Sequence, residues 1–142
     1  MTPQIDYKAA FENLPGAAAL LSPDFVILDV NDCYLDAAGR GKDEIVGRNI
    51  IEAFPGNPGD PDDTGPRELR DSLEAVLATG MPDFMDPTRY DVEDAGHPGE
   101  FEERHWAVAN APVCDPDGKV TMIIHMPQEV THIVRMTRAT NA

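Results

Sequence analysis

A long β-hairpin near the C-terminal end of the chain is the sequence feature that most constrains the fold. Two apolar runs, residues 101–113 and 120–126, flank a turn of sequence Asp-Pro-Asp-Gly at residues 115–118. Proline presets the backbone of a turn and glycine accepts the left-handed conformation that a hairpin needs, so the two runs are predicted to pair. Because neither run alternates strictly between apolar and polar residues, we expect both faces of the sheet to be covered.

The size and charge of the chain exclude several classes of protein. A chain of 142 residues with 42% hydrophobic content is sufficient for one folded domain. There is no apolar run near the ~20 residues of a membrane span and no basic leader, so we expect a cytoplasmic protein. The net charge of −15 disfavours binding to nucleic acid or membrane. Cys33 and Cys114 are expected to be free, buried thiols.

The remaining segments predict an α+β fold. Apolar residues at helical spacing mark a first helix over residues 7–14 and a longer helix that ends at Gly80, and short helical pieces fill residues 31–54. Asn31 lies where a strand gives way to a helix, and its side chain is predicted to cap that helix. The sequence therefore predicts a five-stranded antiparallel sheet with short helices inserted between strands two and three. The other predicted strands are residues 17–21, 25–30 and 84–91, and the polar loops are residues 55–66 and 93–99.

In order and spacing, these segments resemble the PAS domain family, and most of all the PAS sensor modules that precede bacterial sensor histidine kinases. The resemblance implies a sheet and a helical lid around a small-molecule pocket. It divides the chain into an N-terminal flanking helix (1–16), a PAS sensor domain (17–131) and the start of a C-terminal signalling linker (132–142). Glu129 and Thr131 keep the acid and the threonine of the family's closing motif, and are predicted to form the signal junction. The segments that carry the resemblance are residues 11–16, 27–34, 47–50, 89–92 and 101–131.

The resemblance also predicts which side chains face the pocket. If Trp106 points inward, strand alternation brings Val108 and Asn110 with it. By resemblance to flavin-binding relatives, the matching positions on the partner strand are Ile123, His125 and Pro127. The alternative is that Trp106 is ordinary core and His125 a satisfied buried histidine. The full set of pocket candidates is Trp106, Val108, Asn110, Ile123, His125, Ile50 and Phe54.

No cofactor is assigned from the sequence. Photoactive flavin members carry a reactive cysteine shortly after the Gly-Arg-Asn motif, but residues 47–52 contain none, so a flavin adduct is not expected. Haem is not expected either, because residues 31–80 contain no histidine to serve as an axial ligand. The histidines also lack the spacing of a metal site, and no catalytic residues are predicted.

Three functions are compatible with the sequence. The first is a sensory PAS domain that binds a small ligand or mediates dimerisation and signals to an output domain such as a histidine kinase in a longer parent chain. Its expected homodimer contact consists of Tyr7, Phe11 and Leu14. A stand-alone PAS protein is the variant of this function. The second is a small α+β isomerase or hydratase that pairs Asp86 with His125. The third is a PAS domain that mediates protein contacts and binds nothing.

Overall fold

The computed structural model describes residues 3–141, which form one five-stranded antiparallel sheet with helices on one face. Across this sheet the strands lie in the order β2 (Ile27–Val30), β1 (Ala19–Leu21), β7 (Val120–Glu129), β6 (His105–Cys114) and β3 (Asp83–Arg89). Strands β4 (Val92–Glu93) and β5 (Phe101–Glu102) form a separate two-stranded sheet. The predicted α+β fold is confirmed. In chain order the elements are α1 (Tyr7–Glu12), β1 (Ala19–Leu21), β2 (Ile27–Val30), α2 (Asp32–Ala38), α3 (Lys42–Ile45), α4 (Ile50–Ala53), α5 (Gly65–Thr79), β3 (Asp83–Arg89), β4 (Val92–Glu93), β5 (Phe101–Glu102), β6 (His105–Cys114), β7 (Val120–Glu129) and α6 (Thr131–Asn141).

The central hairpin of β6 and β7 positions the interior of the domain. Its turn is closed by a hydrogen bond of 2.8 Å from the amide of Asp115 to the carbonyl of Lys119, and Gly118 has a φ of 84°. The register places Asn110 directly opposite His125. Strand alternation directs Trp106, Val108 and Asn110 to one face, where all three are buried.

The prediction of one unbroken strand over residues 101–113 is wrong. Residues Phe101 and Glu102 pair with Val92 and Glu93 in the small sheet, and the main-sheet strand begins only at His105. The segment predicted to be a flexible loop, residues 93–99, contributes to this small hairpin, where the amide of Asp94 donates to the carbonyl of Glu100 at 2.9 Å. Local pairing between nearby residues therefore competes with extension of the longer strand.

The hydrophobic core lies between the inner face of the sheet and helix α5. Leu73 and Val76 of this helix are fully buried, as are Leu21, Ile27 and Ile123 from the sheet. The helix ends at Gly80, whose left-handed backbone terminates it as predicted.

The outer face of the sheet departs from the expectation that both faces are covered. Leu28, Phe84 and Met126 on this face are 46%, 74% and 40% exposed. The reason is topological: the helices between β2 and β3 pack on the inner face. Both cysteines are free as expected, but Cys33 is only half-buried and Cys114 is exposed.

None of the helices in residues 3–141 is long and apolar enough to span a membrane. Helix α1 lies within the predicted flanking segment, and α6 occupies the predicted linker. Residues 1, 2 and 142 of those two segments fall outside the described part of the chain.

Candidate functional site

A cavity of about 70 Å³ lies between the inner face of the sheet and the helices that precede β3. Its wall is almost entirely apolar. The hairpin contributes one side of the wall, and helices α2, α4 and α5 contribute the other. The cavity is lined by Tyr34, Ala37, Ala38, Ile50, Phe54, Leu69, Met85, Thr88, Tyr90, Asp91, Val92, Trp106, Val108, His125 and Pro127.

Five of the seven pocket candidates lie on this wall. Trp106 and Val108 line it from β6, and Pro127 beside them lines it from β7. The other two candidates, Asn110 and Ile123, are completely buried but lie outside the lining. Whether any of these side chains binds a ligand stays a prediction. The remaining candidates on the wall are His125, Ile50 and Phe54.

His125 is the terminal member of a chain of buried hydrogen bonds. Its Nδ1 lies 2.8 Å from Oδ1 of Asn110, and Nδ2 of Asn110 donates to Oγ of Ser72 at 2.9 Å. The hydroxyl of Ser72 in turn donates to a carboxylate oxygen of Asp83 at 2.5 Å. Burial lowers the pKa of His125 to about 4, so the imidazole is neutral at neutral pH.

Sequence reasoning missed the aromatic residue that packs against His125. The ring of Tyr34 makes edge contacts with His125 at a centroid distance of 6.0 Å and with Phe54 at 6.2 Å. Burial raises the pKa of the Tyr34 hydroxyl. The signal was present in the sequence, because Tyr34 and Ala38 are four residues apart on the helix that Asn31 caps.

Tyr90 was also missed, and it joins three elements around the cavity. Its hydroxyl donates to the carbonyl of Phe54 at the end of α4, and its own carbonyl accepts from Nε1 of Trp106 at 2.8 Å. Gly65 at the start of α5 packs directly beneath the Tyr90 ring. Tyr90 therefore holds α4, α5 and β6 in their positions around the cavity.

An ion pair between Arg89 and Asp91 lies at the edge of the cavity. The Asp91 carboxylate is 1% exposed and receives two hydrogen bonds of 2.9 Å from Arg89. Arg89 also contacts Asp60 at 2.8 Å. The hydrogen bond with Asp91 raises the pKa of Arg89. The guanidinium lies directly against the carboxylate, which leaves the wall near Asp91 without an unpaired charge.

The predicted signal junction is connected to the cavity wall by one side chain. Arg104 donates to the carbonyl of Ala37 in α2 at 3.0 Å and lies 3.7 Å from the Glu129 carboxylate at the end of β7. Thr131 begins helix α6, and its buried hydroxyl accepts from the amide of His105 at 2.9 Å.

The predicted cap at Asn31 is present, and its role extends beyond the helix. Its side-chain oxygen accepts from the amides of Tyr34 and Ala18, both at 3.0 Å. Its amide group donates to the carbonyl of Gly16 at 2.8 Å. Asn31 therefore joins α2, β1 and the segment that follows α1.

The arrangement of acids and histidines gives little support to catalysis or metal binding. Asp86 is exposed and lines a separate groove, whereas His125 is hydrogen-bonded to an amide. Within residues 3–141, the one group with metal-compatible spacing is Asp94, His97 and Glu100, and all three are exposed. The pair of Asp86 and His125 that the enzyme alternative requires is not formed.

Comparisons with known proteins agree with this architecture. The PAS domain of BvgS from Bordetella pertussis is 24% identical, with a TM-score of 0.66, and the match covers 95% of this chain and 91% of that chain. A PAS domain from Colwellia psychrerythraea is 13% identical, with a TM-score of 0.68 and coverage of 89% and 95%. A sensory box sensor histidine kinase from Vibrio cholerae is 21% identical, with a TM-score of 0.56 and coverage of 88% and 89%.

These identities establish the fold alone. No match is found among curated proteins. The sequence pattern of the PAS fold family, however, matches residues 11–135, which is most of the chain. The chain is therefore a member of the PAS fold family, whose domains are generally sensory.

Proposed function

We propose that this chain is a non-catalytic sensory PAS domain that binds a small ligand in the cavity described above. Ligand occupancy shifts the helices of the cavity wall and biases helix α6, which leads to an output domain such as a histidine kinase. The similarity to the Vibrio cholerae sensor histidine kinase supports this kind of output. A cytoplasmic location fits the two free cysteines.

The position of Arg104 is the observation that carries the proposal. Through Ala37 it contacts the helix that supplies Tyr34 to the cavity, and through Glu129 it contacts the strand that runs into α6. A ligand that displaces α2 changes the environment of this guanidinium directly. Helix α6 then has two arrangements: in one, Arg104 contacts both Ala37 and Glu129, and in the other it loses one of these contacts.

We also propose that the domain forms a homodimer through helix α1. Tyr7 is 73% exposed on this helix, and Ile5 just before it is 65% exposed. Phe11 and Leu14 are half-buried, so they keep part of their apolar surface available to a second protomer. An amphipathic helix of this kind can pair across a two-fold axis.

Native mass spectrometry and absorption spectroscopy of the purified protein test ligand binding. We expect a bound mass in the wild type and its loss in Ala38→Met, because Ala38 lines the cavity and is 7% exposed. Ala10→Met is the matched control, since Ala10 is exposed on α1. A bound mass that survives in Ala38→Met would place the ligand elsewhere, and the absence of any bound mass or absorption band would favour a purely structural PAS domain.

Hydrogen exchange of helix α6 tests the coupling. If the larger side chain of Ala38→Met has displaced the ligand, the exchange rates of the α6 amides should differ from those of the ligand-bound wild type. In the Arg104→Gln background, Ala38→Met should no longer change the exchange of α6, because Arg104→Gln weakens the contact with Glu129. If Ala38→Met changes nothing in the wild type, or if its effect persists in the Arg104→Gln background, the proposed route through Arg104 is wrong.

A further inference from the structure

The hydrogen bonds behind the cavity wall have a defined direction, which starts at a carboxylate. Oγ of Ser72 donates to a carboxylate oxygen of Asp83 at 2.5 Å, so this contact uses the one proton of the serine hydroxyl. Oγ of Ser72 must then accept from its other partner, which is Asn110 at 2.9 Å. This requirement places the amide nitrogen of Asn110 toward Ser72.

The same reasoning determines the tautomer of His125. With the nitrogen of Asn110 facing Ser72, its oxygen faces His125 and accepts from Nδ1 at 2.8 Å. Nδ1 therefore carries the proton of the neutral imidazole, and Nε2 has a free lone pair. Burial holds His125 in its neutral form, which agrees with this assignment.

In the described part of the chain, Nε2 of His125 carries a lone pair that no other residue satisfies. It has no hydrogen-bond partner within residues 3–141, and His125 lines the cavity wall. A buried acceptor without a partner is costly unless a ligand supplies the donor.

We propose that the ligand is a neutral, mainly apolar ring compound that donates one hydrogen bond, from N–H or O–H, to Nε2 of His125. This proposal rests on the proposed ligand-binding function. The cavity of about 70 Å³ favours a small ring, and the apolar wall disfavours a charged group. The hydroxyl of Tyr34 also has no partner within residues 3–141, but it can donate or accept and so does not restrict the class.

Pyrrole and furan are the probes that test this proposal on the full chain. The two rings have nearly the same size, and only pyrrole has an N–H donor. Binding is followed by NMR titration and by the fluorescence of Trp106, the one tryptophan of the chain, which lines the cavity. We expect pyrrole to bind about tenfold more tightly than furan, as one net hydrogen bond provides.

The ligand class and the proposed ligand-binding function are contradicted by different outcomes. Equal affinities, or tighter binding of furan, would overturn the donor requirement and leave ligand binding intact. If neither probe perturbs Trp106 or His125, the proposed function fails at this cavity and the ligand class fails with it. The hydrogen bonds that connect Asp83, Ser72, Asn110 and His125 form a relay, which nitrogen-15 NMR of the ligand-free protein tests on its own. A proton on Nε2 of His125 instead of Nδ1 would overturn the relay.

Ser72→Ala tests the direction of the relay without changing the cavity wall. With no acceptor at position 72, the Asn110 amide is free to rotate and donate to His125, so the preference for pyrrole should disappear. Asp83→Ala removes the acceptor of the Ser72 proton, so it should weaken the preference in the same way and serves if Ser72→Ala does not fold. Thr79→Ala, on the exposed end of the same helix, is the control and should keep it. A full preference in folded Ser72→Ala or Asp83→Ala would contradict the relay.

Discussion

At the scale of single residues, the chemistry of this domain depends on polar groups that are buried in an apolar interior. His125 is 4% exposed and Asn110 is completely buried, yet both are hydrogen-bonded. Burying such groups is tolerated because each finds a partner across the hairpin or on α5. Because charging His125 in this environment is costly, its protonation favours the unfolded chain.

The stability of the domain should therefore depend on pH through His125. Its pKa is about 4 in the folded chain against an ordinary value near 6.5, so between these values the unfolded chain binds the extra proton. Lowering the pH through this window favours the unfolded state. We expect the free energy of unfolding to fall by about 2 kcal/mol more between about pH 7 and pH 5 in the wild type than in His125→Gln, as measured by urea denaturation.

The control for this prediction is His132→Gln. His132 is exposed and forms no ion pair within residues 3–141, so its replacement should leave the pH dependence of the wild type unchanged. Carboxylates contribute equally to all three proteins, and the difference isolates the imidazole. Parallel pH profiles for the wild type and His125→Gln would show that His125 charges as easily in the folded chain as in the unfolded one.

At the scale of elements, the cavity exists because helix α5 approaches the segment after β3 very closely. An added Cβ on Gly65 would lie 2.4 Å from Cγ of Tyr90. Only a residue without a side chain permits this approach at the first turn of the helix. The packing of α5 and the position of Tyr90 on the cavity wall therefore depend on each other.

Gly65→Ala should both destabilise the domain and disturb the cavity. The clash with Tyr90 requires the ring or the helix to move, which we expect to cost about 2 kcal/mol of unfolding free energy. The fluorescence of Trp106 should shift, because its indole N–H donates to the carbonyl of Tyr90. Gly59→Ala is the control, with its nearest contact at 3.5 Å, and should change neither property. A stable Gly65→Ala variant with unchanged fluorescence would contradict the close packing.

At the scale of the whole molecule, charge opposes the proposed self-association. Each chain carries a net charge of −15, so two protomers repel each other at low salt. Apolar contacts through α1 must exceed this repulsion. Salt screens the repulsion and does not weaken apolar contacts, so the two contributions can be separated by ionic strength.

We expect sedimentation velocity to show more dimer at about 0.3 M than at about 0.02 M sodium chloride. Tyr7→Ser should weaken the dimer at both salt concentrations, because Tyr7 is the most exposed apolar side chain of α1. Met81→Ser removes a comparably exposed apolar side chain after α5 and is the control. A strict monomer at high protein and salt concentrations would exclude the proposed dimer.

The sequence alone determined the features whose causes are local. The turn at residues 115–118, the cap at Asn31 and the end of α5 at Gly80 each depend on a few neighbouring residues whose backbone preferences are readable in order. The order and spacing of the predicted elements resemble the PAS family, and that resemblance predicted the PAS fold. Strand alternation also predicted that Trp106, Val108 and Asn110 share one side of the hairpin.

Only the tertiary structure decided which side chains meet. Tyr34 and Tyr90 reach the same cavity from elements separated by more than fifty positions, and Ser72 and Asp83 complete the hydrogen bonds of Asn110 from a helix and a strand of their own. The backbone pattern of a segment reports its conformation and its buried face, but it contains no information on the distance to another segment. That distance is set by packing, which is why the wall and the polar relay of the cavity appear only in the folded chain.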